Sequence, residues 1–317
     1  MARVDTPGTV SGSDAGRVLV AADGRRTAIV RTEFRTGPRE GTDGLFARRK
    51  LMNWGAGLAA SAGLARSARP DSGGGGRPRF DPTDMRLVSL SHVNDPETTN
   101  VYPGDPEFTL STVASLEEDG FYLQYVREGE HTGTHFGAPC HFNAGEPSAD
   151  ELDPEDLMLP AVKLDIRDRA ERDPDYAVTV EDLWRFEREH GPIPEGAAVV
   201  LWTGWQEKWG TPAFYNFDEQ GRMHQPGFAP EAVSWLLETG RLGYRGALGT
   251  DTFSPDVGID DRYRVSLMLY RRHRISLEVL ANLERLPVTG GWVLAGGPAH
   301  RNGSGATATV FGMLPRY

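Results

Sequence analysis

Three histidines fall within eleven residues of one segment, at His131, His135 and His141 in the run HTGTHFGAPCHF. Neutral imidazole is the commonest protein ligand of zinc and related metals. On an extended stretch the three side chains would share one face. On a helical turn His131 and His135, four residues apart, would also converge. Either geometry predicts that two imidazoles chelate one ion while the third carries a proton.

The residues between the histidines keep this segment out of a regular helix. Gly133, Gly137 and Pro139 each disfavour helical backbone. A single histidine is more often a packed or surface residue, but three of them interleaved with glycine and proline favour a metal or catalytic site. Cys140, the one cysteine of the chain, is interpreted as a small buried hydrophobe rather than a nucleophile.

The elements that must position these histidines begin at about residue 85. The segment directly follows a predicted strand, so we expect it to leave a strand end and become a loop. Strands and helices mix without strict alternation, which predicts an α/β or α+β fold. The predicted strands cover residues 86–91, 108–114, 121–126, 161–166, 197–202, 246–252, 291–296 and 307–313, and the predicted helices cover 180–190, 230–239 and 276–286.

Composition limits the partners of the chain. It has 317 residues, 38% of them hydrophobic and 25% charged, which is typical of a folded globular protein. Residues 1–84 carry 14 lysines and arginines against 9 acidic residues, whereas the remainder carries 20 against 36. The acidic body argues against nucleic acid as a partner. No apolar run is long enough to span a membrane.

The first 84 residues differ from the rest and are predicted to be a disordered basic extension of a folded domain over 85–317. Within them, Arg48 and Arg49 precede a small-residue apolar run at 54–65, which resembles a twin-arginine export signal. The predicted location is the cytoplasm, with export through such a signal as the alternative.

The histidine segment resembles the signature H-x-G-T-H-x-D-x-P-x-H-F of the metal-dependent cyclase-like hydrolases. That family contains bacterial kynurenine formamidases, isatin hydrolases and some polyketide cyclases. Further segments resemble the family in the same order, at residues 87–92 with 102–105, 200–205, 249–256 and 278–287. The resemblance implies a single swivelling β/β/α domain, assembled as a homodimer or higher homo-oligomer.

The resemblance also implies roles for particular residues. His131 and His135 stand where the family places two metal ligands, and His141 stands where it places a catalytic histidine. Glu278 stands where a carboxylate ligand lies. The implied cofactor is a divalent metal, zinc in the first instance and manganese as the alternative.

Two positions depart from the family pattern. The Asp of the motif, which can bridge two metals, is Gly137 here, and the position of a further histidine ligand falls on Ser266. One ion is therefore favoured over two, because metal sites depend on the number and charge of their ligands. Asp251 and His300 are weighed as substitute ligands. Two alternatives remain. The site has lost its metal and kept a histidine-based, non-hydrolytic chemistry, or it binds a small molecule without catalysis.

The predicted reaction is hydrolysis of an amide or lactone, with His141 as the proton carrier. The resemblance favours an N-formyl arylamine such as N-formylkynurenine, an arylformamidase-type reaction of tryptophan catabolism. Phe136, Phe142 and Trp205, together with Trp202, are predicted to form an aromatic wall for a planar small molecule. The alternatives are a polyketide cyclase or dehydratase that uses histidine acid–base chemistry, and a non-catalytic small-molecule binding protein.

Overall fold

The computed structural model describes residues 85–316. The predicted extension over 1–84 and its twin-arginine-like segment lie outside these residues. Nine strands form a mixed sheet, and four others form two small two-stranded sheets. In chain order the strands are β1 Met85–Ser89, β2 Thr109–Ala114, β3 Leu123–Arg127, β4 His135–Gly137, β5 Met158–Asp165, β6 Ala177–Val178, β7 Ala198–Trp202, β8 Gly227–Phe228, β9 Arg245–Thr250, β10 His273–Glu278, β11 Gly291–Gly296, β12 Gly305–Thr307 and β13 Thr309–Pro315.

The large sheet has a parallel centre and antiparallel flanks. Strands β5, β7, β9 and β10 run parallel to one another, and β4 pairs antiparallel with β10. The carboxyl ends of parallel strands meet at one edge of a sheet, which is where ligands of α/β proteins bind. The strand order is β1-β13-β11-β5-β7-β9-β10-β4-β12.

Both faces of the central strands are covered. Along β7, Ala198 and Val200 face one core cluster, whereas Val199 and Leu201 face a second that includes the helices. This explains why the strand is a continuous apolar run, as parallel strands buried on both faces are. The predicted mixed α/β fold is confirmed. The helices are α1 Leu116–Asp119, α2 Arg167–Ala170, α3 Val180–His190, α4 Pro230–Glu238 and α5 Arg264–Leu269.

Local signals set the two longest helices as predicted. Thr179 caps α3, where its side chain accepts from the backbone N–H of Asp182 and the Asp182 carboxylate accepts in return. Helix α4 begins with Pro230, whose missing N–H has no cost at a first helical position.

The predicted helix over 276–286 is wrong. The chain instead forms strand β10, followed by a 3-10 turn at Leu283–Arg285. Val279 and Asn282 have φ of 54° and 53°, values that no α-helix contains. Pairing of β10 with β9 and β4 outweighs the local pattern, which cannot separate a short buried strand from a helix.

Strands β2 and β3 form a hairpin that pairs with no other strand of the described chain. All five residues of β3 are exposed. Large apolar side chains among them, including Leu123, Tyr125 and Val126, are about half exposed or more. None of the helices between residues 85 and 316 has both the length and the hydropathy that a membrane crossing requires.

Candidate active site

The three predicted histidines come together at one end of β4. His131 lies in the turn before this strand, His135 is its first residue, and His141 ends a 3-10 turn at Pro139–His141. The ring centroids of His131 and His135 are 4.9 Å apart, and those of His131 and His141 are 4.0 Å apart. Gly133 allows this turn, because its φ is 60° and a Cβ there would lie 2.1 Å from Oδ1 of Asn94.

Glu278 reaches the histidines through strand pairing. The register of β10 against β4 places Glu278 directly opposite His135. Their side chains meet, with Nε2 of His135 3.0 Å from Oε2 of Glu278, and both residues are more than 90% buried. The predicted association of Glu278 with the histidine segment therefore follows from a strand rather than from a helix.

The hydrogen bonds of His135 define its free atom. Nδ1 lies 2.9 Å from the carbonyl oxygen of Gly133 and must carry the proton, since a carbonyl only accepts. Nε2 of a neutral ring is then a lone pair directed at a carboxylate, and it has no hydrogen bond within the described residues. Two acceptors at 3.0 Å require a positive charge between them, either a proton or a metal ion.

His131 is oriented in the same manner. Ser304 donates its hydroxyl hydrogen to Oε2 of Glu130 at 2.6 Å, so its oxygen accepts from Nε2–H of His131 at 2.9 Å. This leaves Nδ1 of His131 as the lone-pair atom. A histidine whose second N–H is fixed by an oxygen is typical of metal ligands, because the outer bond sets the tautomer and the ring orientation.

Burial and the neighbouring rings keep two of the imidazoles neutral. Burial, with help from His135 and His141, lowers the pKa of His131 to about 2. Burial also lowers the pKa of His141, although its ring remains accessible from the cavity. Burial acts in the same direction on His135, but the Glu278 carboxylate outweighs it and raises the pKa of that imidazole. His141 is thus available as a base.

A cavity of about 300 Å³ opens over these groups. Its polar residues are the three histidines, Glu278, Asp105, Ser254 and Ser266, and its aromatic residues are Tyr102, Phe142, Phe253 and Tyr263. The size and the mixture of apolar walls with few polar groups are typical of small-molecule sites. Burial raises the pKa of Asp105, and His135 and His141 oppose this shift.

The predicted aromatic wall is placed differently in part. Phe142 lines the cavity. Phe136 and Trp205 lie in separate core clusters and are not brought to it, while the ring of Trp202 faces Lys163 and Arg167. Successive side chains of a strand point to opposite faces, so Phe136 of β4 faces the core while His135 faces the cavity.

Sequence reasoning missed five residues of the cavity, which are Tyr102, Asp105, Phe253, Ser254 and Tyr263. Tyr102 and Asp105 belong to the segment over residues 102–105, to which no site role was assigned. Phe253 follows the β9 strand end, and Tyr263 donates or accepts a hydrogen bond with Tyr102 at 3.0 Å. The signal available for Tyr102, Asp105, Phe253 and Ser254 was their membership in segments that resemble the family.

Neither Asp251 nor His300, the substitute ligands considered above, lines the cavity, and Ser266, which stands at the position of the missing histidine, is already bonded. Asp251 is fully buried and accepts from the backbone N–H and hydroxyl of Thr203 at 2.9 and 2.8 Å. His300 lies exposed in a loop. Ser266 lines the cavity, but its hydroxyl donates to Oδ2 of Asp256 at 2.5 Å. None of the three stands beside the His135–Glu278 pair as a free donor.

The residues at the cavity offer ligand atoms for a metal ion. The unpartnered Nε2 of His135 and the Glu278 carboxylate supply two converging ligand atoms. His131 does not complete a set of three atoms within 4.8 Å of one another. Among the described residues, Asp153, Asp156 and His273 form the one set that meets that distance. A third protein ligand for an ion at His135 therefore requires a shift of His131, and water can fill the remaining positions.

The comparison with known proteins agrees with this fold. The family model described as putative cyclase matches residues 88–257. Isatin hydrolase of Roseibium aggregatum is 31% identical over 247 residues, 74% of this chain and 93% of that protein. This chain belongs to the cyclase family, and its similarity to an isatin hydrolase supports a hydrolase.

A solved structure and one further relative are also similar to this chain. The structure of isatin hydrolase A from Labrenzia aggregata bound to benzyl benzoate has a TM-score of 0.68 and 30% identity, and the match covers 74% of this chain and 95% of that one. Kynurenine formamidase of Salinibacter ruber is 33% identical over 88 residues, 27% of this chain and 41% of that protein.

Proposed function

We propose that this chain is a metal-dependent hydrolase of aryl amides, in which the carbonyl carbon is cleaved from an arylamine nitrogen. The observation that carries the proposal is the 3.0 Å approach of His135 Nε2 to the Glu278 carboxylate on the wall of an aromatic cavity. Two relatives are named for isatin, a cyclic aryl amide, and for formamide cleavage in kynurenine. Both support an aryl amide as the substrate class.

His135 and Glu278, with His131 beside them, are the proposed ligands of a single divalent ion, zinc or manganese. Such an ion, when bound, lowers the pKa of a water and polarises a carbonyl. The chain itself supplies orientation. Gly133 fixes the ring of His135, and the Ser304–Glu130 pair fixes that of His131.

His141 is the proposed acid and base. It takes a proton from the water as the oxygen bonds to the carbonyl carbon, and it returns this proton to the nitrogen as the carbon–nitrogen bond breaks. The products are a carboxylic acid and an arylamine, so no other reactant is needed. A neutral imidazole is required for the first step, and the lowered pKa of His141 supports one at neutral pH.

The cavity supports a planar substrate. Phe142 stacks parallel to Tyr270, with ring centroids 5.6 Å apart, and Tyr102 and Phe253 meet edge to face at 5.5 Å. Aromatic rings in these arrangements bind a flat ring through stacking and edge contacts. A formylated arylamine and a small bicyclic amide both suit a volume of about 300 Å³.

The test is hydrolysis by the purified chain loaded with zinc or with manganese. We expect cleavage of N-formylkynurenine or of isatin, followed by absorbance, and its loss in His141→Ala. A metal-loaded chain that cleaves neither aryl amides nor aryl lactones would contradict the proposal. Conversion of an aromatic polyketide by metal-free protein would favour the cyclase alternative, and tight binding without turnover would favour the binding alternative.

We also propose that a second copy of this chain covers the β2–β3 hairpin. A two-stranded hairpin that pairs with no further strand is marginally stable in water, and contiguous exposed apolar side chains mark interfaces. β3 ends four residues before His131, so the partner would lie next to the cavity.

The oligomer is tested by sedimentation of the chain and of paired variants. Leu123→Asp with Tyr125→Asp changes one face of β3 and should yield monomers. Gln124→Asp, on the other face, is the matched control and should leave the assembly intact. A wild-type chain that sediments as a monomer at all concentrations contradicts this proposal.

A further inference from the structure

We infer that the Tyr270 phenol occupies the place of a ligand carboxylate at position 137 and anchors Glu278 instead, which restricts the site to a single ion. Tyr270 is then a positioning residue, since it acts on the ion through Glu278. The inference rests on the proposed metal-dependent function and adds the number of ions and the residue that sets it.

The space beside Gly137 carries the first part of the argument. A Cβ at this position would lie 2.0 Å from the hydroxyl of Tyr270 and 2.8 Å from Oγ of Ser276. Both distances are too short for any side chain. The backbone of Gly137 does not have a positive φ. Glycine is thus required here by the phenol and not by conformation.

A chain of hydrogen bonds carries the second part. The backbone N–H of Gly137 donates to Oγ of Ser276 at 3.2 Å. The Ser276 hydroxyl and the Tyr270 phenol are 2.6 Å apart, and the phenol donates to Oε1 of Glu278 at 3.4 Å. Successive hydrogen bonds therefore connect the backbone N–H of β4 to one carboxylate oxygen of Glu278. The other oxygen of Glu278 faces His135.

Charge carries the third part. A phenol is a neutral donor at neutral pH, whereas a carboxylate at 137 would add a second anionic ligand next to His135. The other position where a second ion would find a ligand is held by Ser266, whose hydroxyl is bonded to Asp256. Ligand number and charge determine how many divalent ions a site holds, so these substitutions together favour one.

The experiment compares Tyr270→Phe with Tyr176→Phe. Both variants remove a phenol that donates to a carboxylate, but Tyr176 donates to Asp182 in the α3 region, at 2.7 Å. Ions per chain are counted by mass spectrometry after loading with zinc. Affinity is measured by competition with a chelator, and the visible spectrum of the cobalt-loaded protein reports the ligand geometry.

We expect one ion per wild-type chain, about tenfold to a hundredfold weaker zinc binding in Tyr270→Phe, and a changed cobalt spectrum. Tyr176→Phe should match the wild type in both. Two ions in the wild type, or unchanged affinity and spectrum in Tyr270→Phe, would overturn the inference while leaving amide hydrolysis intact. A wild-type chain that binds no ion overturns the proposed function itself.

A second pair of variants tests whether a side chain at position 137 and the Tyr270 phenol compete for the same space. Gly137→Asp alone should lower the melting temperature, because its side chain meets Tyr270. Gly137→Asp combined with Tyr270→Ala should lower it by less than the two single changes predict, and should bind zinc more tightly than Tyr270→Ala. Fully additive effects on melting would overturn the inference, since residues that share one space couple.

Discussion

Strand β10 carries a histidine and carboxylate pair at each end, and the two pairs differ in what surrounds the carboxylate. At the first residue, His273, Nδ1 lies 2.6 Å from Oδ2 of Asp156, whose Oδ1 accepts from Nε of Arg245 at 2.8 Å. At the last residue, Glu278, Oε2 faces the lone pair of His135. The first pair is neutralised by an arginine, whereas the second needs a cation.

The comparison shows that a structural pair differs from a ligand site in the hydrogen-bond donors that already surround the carboxylate, and not in its residue types. Asp153, Asp156 and His273 lie close enough to hold a metal, yet the guanidinium of Arg245 already bonds both carboxylates. Their end of β10 is also its amino end. Glu278 stands at the carboxyl end of a strand parallel to β9, the edge at which ligands of such sheets bind.

Glu278→Gln should have the largest effect on activity. The variant keeps the shape of the side chain and removes the charge that holds the ion. A metal ion contributes several kcal/mol to such reactions, so kcat/KM for an aryl amide should fall about a thousandfold or more. Steady-state kinetics and metal content check this. Full activity in the variant would contradict the assignment of Glu278 as a metal ligand.

His141→Ala should lower kcat by about 10²- to 10⁴-fold, the range of a positioned acid and base. Zinc content should remain that of the wild type, because His141 is not a proposed ligand. Loss of zinc together with activity would instead make His141 a ligand, and single-turnover rates with zinc-loaded protein separate the two cases.

Asp156→Asn should act on stability and not on chemistry. Asp156 is fully buried and bonded to His273 and Arg245, and breaking one partner of a buried pair costs about 3 kcal/mol where the other partner is half exposed. Urea unfolding should reveal this cost, while kcat/KM at 25 °C stays within twofold of the wild type. A selective loss of zinc in this variant would show that the metal binds at the His273 end of β10 and not at the Glu278 end.

The pH dependence should be the smallest effect. Burial lowers the pKa of His141 from its ordinary value of about 6.5. The neutral base therefore persists as pH falls, and protonation removes activity only below 6.5. kcat/KM should drop by less than twofold between pH 8 and pH 6.5, and by about tenfold per unit only below the lowered pKa of His141. An acidic limb centred above pH 7 would contradict the role of His141.

Much of the fold was readable from sequence where the signal was local. The caps of α3 and α4 and the apolar run of β7 are set by neighbouring residues, and the structure has them as predicted. Strand β10 was predicted as a helix, because its apolar residues suit either form and only its pairing with β9 and β4 decides.

The site was readable in its residue types but not in its contacts. Glycine at 137 signalled a missing ligand, yet nothing in the sequence placed the Tyr270 hydroxyl in the same space, 133 residues away. The same limit applies to Ser304, which orients His131 from 173 residues further along the chain. Long-range packing determines such contacts, and a single sequence does not encode them as a local pattern.

The most direct test of the account is a zinc titration of the wild type beside Glu278→Gln and Asp156→Asn, with ions per chain counted at saturation. Because the free lone pair of His135 and the Glu278 carboxylate form the proposed site, the wild type and Asp156→Asn should each bind one ion, and Glu278→Gln should bind none at the same zinc concentration. Equal binding by Glu278→Gln, or loss of zinc in Asp156→Asn alone, would contradict the account.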